Sequence, residues 1–448
     1  MKKLPIWLAL ACILLVSCGD IGLRNILADT VGKAKGNPTY TVTYDGNGAT
    51  GGSVPTDSKA YHQGDTVTVL GNSGSLVKSG YYNFAGWDTK ADGSGTSYAA
   101  GTTFPMGTAN VTLYAVWTTF HMYITGYTGT SSTSVAPCYW NNGTQITLPM
   151  GTNTFGNAVG VVLDSSGNPL IAGYAETSNV PAPCYWKNGT QTPLSMGTNT
   201  YGLAEGAALD SSGILYIAGT SGPSLSSLAP CYWKNGTQTP LLMGTSTWGL
   251  SCGVTLNSLG ILYIAGVSGT SLSSVTPCYW KNGAQTSLLM GTNTYGQTVG
   301  ITLDSSGNLY IAGYTGTSLS SVTPCYWKNG TQTPLLMGTN TYGQTVGITL
   351  DSSGNLYIAG YTGTSSSSVT PCYWKNGTQT PLPMGGTNTY GQAYGVALDS
   401  SGNLYITGAS GTSSSLVTPC YWKNGTRTPL PMGGTNTYGE ANLVTIGP

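Results

Sequence analysis

Three observations predict an all-β protein in which a small β-module precedes a seven-bladed β-propeller of four-stranded blades. The first is composition. The 448-residue chain carries 66 Gly, 30 Tyr and 11 Trp, and Ser and Thr crowd its second half, a balance that favours strands and turns over helices. The second is period. Cys-Tyr-Trp recurs at Cys138, Cys184, Cys231, Cys278, Cys325, Cys372 and Cys420, with spacings of 46 to 48 residues. The third lies in the outermost repeats. The first begins at its second strand, and the last ends after a first strand, Ala441 to Ile446. The last strand is therefore expected to complete the first blade and close a ring, which pairs otherwise free edges.

Charge narrows the function. Only 7% of residues are charged and the formal net charge is +0, against roughly 25% charged in an ordinary domain. No basic run is available to neutralise phosphates, so nucleic acid is not an expected partner. The abundance of Tyr, Trp, Val, Ile and Leu argues against a disordered polymer.

Residues 1–18 read as a targeting segment. Lys2 and Lys3 precede the apolar stretch Leu4 to Val16, which is too short to span a bilayer as a helix. Its end, Leu15-Val16-Ser17-Cys18, resembles a bacterial lipobox. That resemblance implies cleavage before Cys18, lipid attachment to it, and anchoring at a bacterial envelope; exposure at the cell surface is expected. Residues 19–38 read as a polar tether.

Residues 39–118 alternate as strands do. Tyr40 to Tyr44 leads into the turn Asp45-Gly46-Asn47-Gly48; later come Gly80-Tyr81-Tyr82-Asn83-Phe84-Ala85-Gly86-Trp87 and Val111-Thr112-Leu113-Tyr114-Ala115-Val116-Trp117. In that order these motifs resemble the internalin-type B repeat, also called the Listeria–Bacteroides repeat. The resemblance implies a small β-grasp-like module of bacterial surface proteins with no catalysis. Trp87, Trp117, Phe84 and Val111 are expected to form its core.

Residues 119–448 carry the repeats. Around Tyr342, strand one is Val346 to Leu350 and the turn is Asp351-Ser352-Ser353-Gly354-Asn355. Strand two is Leu356 to Tyr361, and a Ser/Thr loop follows. Strand three is Val369 to Lys375, Asn376-Gly377 makes a hairpin turn, and strand four is Thr378 to Leu382. Four strands in about 47 residues fit a propeller blade, and residues 120–448 hold seven such units. The Leu-Asp-Ser-Ser-Gly-Asn-Leu-Tyr-Ile-Ala-Gly pattern also resembles SBBP and NHL repeats.

Candidate chemistry is sparse. One Cys per repeat, plus Cys252, reads as small buried residues. With two His and no Cys-x-x-Cys, neither a metal nor a cofactor is expected. Asp164, Asp210, Asp304, Asp351 and Asp399 read as turn residues accepting backbone N–H groups. The repeat Lys residues are expected to share their rim in weak ion pairs. The loop Met-Gly-Thr-Asn-Thr-aromatic-Gly is the candidate binding element. Its aromatics are Phe155, Tyr201, Trp248, Tyr295, Tyr342, Tyr390 and Tyr438, with Asn293, Asn340 and Asn388 among its amides. A ring of aromatics with amide neighbours could stack and hydrogen-bond a neutral glycan. Alternatively each aromatic wedges between blades while the Asn caps its loop.

The non-repeated acids Glu176, Glu205 and Glu440 form no evident acid–base pair. The expected function is therefore a non-catalytic platform for a protein or neutral glycan, on a lipid-anchored envelope protein. A secreted propeller hydrolase or lyase, or a purely structural envelope protein, are the alternatives.

Overall fold

The computed structural model describes residues 37–80 and 82–447. The targeting segment with Cys18 and almost all of the tether lie outside the described residues. Two compact units are present. One comprises residues 37–77 with Ala85–Val116, the other Lys78–Phe84 with residues 117–447.

The smaller module is built from β1 (Val42–Asp45), β2 (Thr66–Thr68), β3 (Tyr82–Asp88), β4 (Ser97–Tyr98), β5 (Thr103–Pro105) and β6 (Val111–Thr119). Its sheet runs β1-β6-β3-β4, and β2 pairs with β5. The parallel β1–β6 pairing, Val42 opposite Val111, sets its first and last strands side by side. No helix accompanies this sheet among the described residues. Trp87 is fully buried, donates to Leu70 O at 2.9 Å and meets Tyr44 edge-on at 4.7 Å. Phe84, Trp117 and Val111 are only half-buried, so the expected core of four narrows to Trp87 with neighbours such as Val42, Leu113 and Ala115.

The larger unit contains seven four-stranded antiparallel sheets among the described residues. One of them consists of Tyr342–Leu350, Leu356–Ser365, Ser368–Lys375 and Thr378–Pro381, in chain order. Its first strand starts four residues earlier than the sequence pattern predicts. Val346 is an extra residue between the pairs Thr345–Gly360 and Gly347–Ala359, a bulge that lets the strand bend and continue.

Local chemistry explains each connection. Asp351 Oδ1 accepts from Ser353 N at 3.0 Å and Asn355 N at 2.8 Å. At the hairpin, Asn376 and Gly377 take φ of 49° and 86°, the geometry that favours Asn-Gly. The Asn376 side chain also accepts from Leu356 N at 2.8 Å. Trp374 is fully buried, and its indole donates to Leu336 O, in the preceding repeat, at 2.7 Å. Gly360 makes room for it: a Cβ there would lie 3.0 Å from the Trp374 ring and 2.2 Å from Gln344 O.

The same bond joins every sheet to its predecessor, and Trp140 of the first repeat donates to Pro431 O of the last at 2.7 Å. Tyr438–Gly447 pairs antiparallel with His121–Ser131, Ala441 opposite Gly126 and Val444 opposite Ile124. The first strands lie side by side in succession, and Tyr438–Gly447 lies beside both Tyr390–Leu398 and Phe155–Leu163.

The Asp turns give the unit an acid-sensitive component. Hydrogen bonds, first from the Asn355 side chain, hold the Asp351 carboxyl below its ordinary value, and Asn308 does the same for Asp304. A carboxyl lowered by folding stabilises the fold above its unfolded pKa of about 3.9. That contribution is lost as pH falls through the lower folded value. Melting temperature is therefore expected to drop progressively below about pH 4. Asn257 fills the same turn position and accepts from Leu259 N at 3.1 Å and Ile261 N at 2.8 Å. Asp351→Asn should keep the turn while removing its share of the drop; an unchanged pH profile would refute this assignment.

Candidate functional site

The seven loop aromatics open the first strands rather than standing on loops. Trp248, Tyr295, Tyr342, Tyr390 and Tyr438 are buried, with Tyr295 only 2% exposed, and Phe155 and Tyr201 are half-buried. All seven join one apolar cluster with Val135, Leu228, Val275, Val322, Val369 and Val417. An open stacking face is thus replaced by wedges between neighbouring sheets. The physical reason is area: each aromatic hides roughly 150–250 Å² of surface when it packs.

The amides are likewise engaged within the fold. Asn293 Nδ2 donates to Thr315 Oγ1 and Asn340 Nδ2 to Thr362 Oγ1, each at 2.9 Å, while Asn388 Nδ2 donates to Met384 O at 2.9 Å. They cap their loops. What remains exposed around them is both hydroxyl and apolar: Thr292, Thr294, Thr339, Thr341, Thr387 and Thr389, with Leu289, Leu319 and Leu336 in the adjoining loops. Thr341 Oγ1 donates to Thr364 O at 3.3 Å and Thr389 Oγ1 to Thr412 O at 3.1 Å. These bonds bring the Thr-rich and Ser-rich loops together at one end of each sheet. The Asp and Asn-Gly turns meet at the other, where Asn376 Nδ2 donates to Asn355 Oδ1 at 2.8 Å.

At the Asp end five of the repeat lysines, Lys234, Lys281, Lys328, Lys375 and Lys423, lie over tyrosine rings. Lys375 Nζ lies 5.1 Å from the Tyr357 ring centre, and the Tyr357 hydroxyl donates to Asp351 Oδ2 at 3.3 Å. The repeat cysteines are buried and free. Burial pushes the thiols of Cys325 and Cys372 up to about 12, which makes them poor nucleophiles. Among the described residues, no group of three or more His, Cys, Asp or Glu is placed to hold a metal ion.

The first strands carry a second set of residues that motif reading overlooks. Two places after each aromatic stand Asn157, Leu203, Leu250, Gln297, Gln344, Gln392 and Glu440. Over part of this series the side chains form a polar belt. Tyr314 OH donates to Gln297 Oε1 at 2.7 Å, Tyr361 OH donates to Gln344 Oε1, and Tyr394 OH donates to Gln392 Oε1 at 2.6 Å. Glu440 accepts from Tyr438 OH at 3.2 Å, with the Tyr127 and Tyr394 hydroxyls close by. Desolvation raises its carboxyl above the ordinary value despite these donors.

The belt is interrupted at Leu203 and Leu250. Beneath them lie Glu205 and Cys252, where later repeats have Val299 and Val346. Cys252 packs against a core cluster as expected and, with Glu205, also lines a cavity of about 190 Å³. A position-by-position comparison of the repeats could have exposed this break, because it replaces the unit's own pattern.

The fold and site define an all-β repeat protein. Its residues 40–116 match the Listeria-Bacteroides repeat domain. A "Putative Gly-rich membrane protein" of Evansella cellulosilytica is 36% identical over 111 residues, 25% of this chain and 12% of that protein. A "Putative membrane protein" of the same organism is 42% identical over 78 residues, 17% of this chain and 11% of that one. The matches thus span only about a tenth of these curated relatives. Among solved structures, a polysaccharide (ulvan) lyase is similar with TM-score 0.47 at 10% identity, covering 69% of this chain and 92% of its own. A fucose lectin from Kordia zhangzhouensis reaches TM-score 0.25 at 18% identity, over 30% and 99% of the two chains. At these scores the structural likenesses bear on neither ligand nor activity. Among the described residues no helix is long and apolar enough to cross a membrane.

Proposed function

We propose that the seven sheets are the blades of a closed β-propeller, and that this propeller is a non-catalytic binding platform for a protein or neutral glycan. The ring reading draws support from the Tyr438–Gly447 pairing with His121–Ser131 and from the Trp140–Pro431 bond. The observation that carries the binding reading is the repeated, uncharged loop end, which exposes hydroxyls and leucines such as Leu289, Leu319 and Leu336 above a buried or half-buried aromatic in each blade. Near-identical blades offer several weak equivalent contacts, whose joint engagement gives avidity. We place the protein at a bacterial envelope, anchored by lipid on Cys18. The membrane names of the partial relatives agree with that placement.

Thr317 and Thr364 are exposed on adjacent loop ends. The pair Thr317→Glu and Thr364→Glu should weaken capture on a glycan or envelope-protein array at least tenfold, with melting temperature unchanged. Capture that survives both substitutions removes this end as the contact face. In the same cells, Cys18→Ala should release the protein from the membrane fraction, and retention there would overturn the anchor.

A further inference from the structure

The break in the belt forms a second kind of site. Two cavities share the walls Leu203 and Leu250. The outer one, about 530 Å³, is lined by Leu225, Leu228, Trp248 and Leu272. Trp248 is held there by its bond to Leu225 O at 3.1 Å. The inner one, about 190 Å³, adds Glu205, Thr220, Cys252, Val267 and Val299. Together they make a greasy mouth above a small polar floor.

Most polar groups of that floor are already satisfied. Ser251 Oγ donates to Cys231 O at 2.9 Å, and the Cys252 thiol donates to Thr298 O at 3.1 Å. Gln297 is held between Tyr295 and Tyr314. Two groups differ. Thr220 is 1% exposed and its Oγ1 has no hydrogen-bond partner. Glu205 has partial exposure to the cavity it lines, and among the described residues no donor is seated on its carboxylate. Unpaired buried polar groups are costly, and the presence of two in the lining of one cavity requires an explanation. Desolvation pushes the Glu205 carboxyl up to about 7, the response of an acid that lacks its counter-charge.

The complementary ligand can be read from these groups. Both free atoms can accept hydrogen bonds. No Lys or Arg lines either cavity, so an anion would gain nothing there. The walls above them are hydrocarbon, where each buried methylene gains about 0.8 kcal/mol. We propose that this cavity binds a small organic amine, with its ammonium group on Glu205 and Thr220 Oγ1 and its apolar body between Leu203, Leu250 and Trp248. The site lies apart from the loop-end contacts and does not depend on them.

The test uses the full chain and three matched probes, hexylamine, hexan-1-ol and hexanoate, followed by calorimetry and by Trp fluorescence. Hexylamine should bind at least tenfold more tightly than hexan-1-ol, and hexanoate should not bind. Glu205→Gln should bring hexylamine down to the level of the alcohol while leaving alcohol binding unchanged. Thr220→Val removes the unpartnered hydroxyl without opening a void, and should weaken the amine about three- to tenfold. This second variant decides the matter if Glu205→Gln does not fold. Equal affinity for amine and alcohol, no binding of the amine, or amine binding indifferent to both substitutions would each overturn the proposal.

Discussion

Trp374→Ala should cost the repeat unit about 3–5 kcal/mol, the range for deleting a fully packed aromatic. The indole is completely buried, fills the space left open by Gly360, and holds the preceding sheet through Leu336 O. Its loss removes packing and leaves that carbonyl without its partner. Trp374→Phe separates the two effects. It keeps most of the ring and should forfeit about 1–2 kcal/mol, mainly the hydrogen bond. Chemical denaturation followed by Trp fluorescence and circular dichroism reads both. Costs below about 1 kcal/mol for Trp374→Ala would show that the sheets do not depend on this bond. Trp140→Ala should behave like Trp374→Ala, because Trp140 makes the equivalent bond to Pro431.

Removing residues 438–448 is expected to have the other large effect. The deletion strips the partner strand from His121–Ser131 and takes Ala441 and Val444 away from Met122, Ile124 and Trp140. A closed ring should then lose its single cooperative transition and expose an edge prone to association. An open stack of repeats would lose only its end unit and keep most of its stability, because each repeat there depends on nearest neighbours alone. Thermal unfolding with size-exclusion light scattering distinguishes the two. A peptide of residues 438–447 supplied in trans should restore the transition in the ring.

Much of this architecture is legible in the sequence because turns state their geometry locally. Asn376-Gly377 announces a tight hairpin, and Asp351 with Gly354 announces another, so strand order followed from spacing. Tyr342 was harder. Gly, Asn and Thr around it read as loop, yet the strand begins at Tyr342, paired with Gly363, and the ring is buried. An aromatic between turn residues looks the same whether it faces solvent or wedges between sheets, since only the packing partner decides. Glu205 is visible in the sequence as a non-repeated acid, but its setting is not. Its neighbours match the repeat, and its significance lies in what Leu203, Leu250 and Thr220 fail to provide around it. Periodicity reveals what is copied; cavities form where one copy departs from the rest.

The pairing of Tyr438–Gly447 with His121–Ser131 has a kinetic consequence. Asn436 Nδ2 donates to Thr128 Oγ1 across 308 residues of chain. Bringing such distant segments together costs about 5 kcal/mol of loop entropy by logarithmic scaling. The individual hairpins are local and can form early, whereas this last contact waits for all of them. Refolding should therefore pass through an assembled but unlatched species, whose lifetime governs how often two molecules exchange their final strands rather than each completing its own.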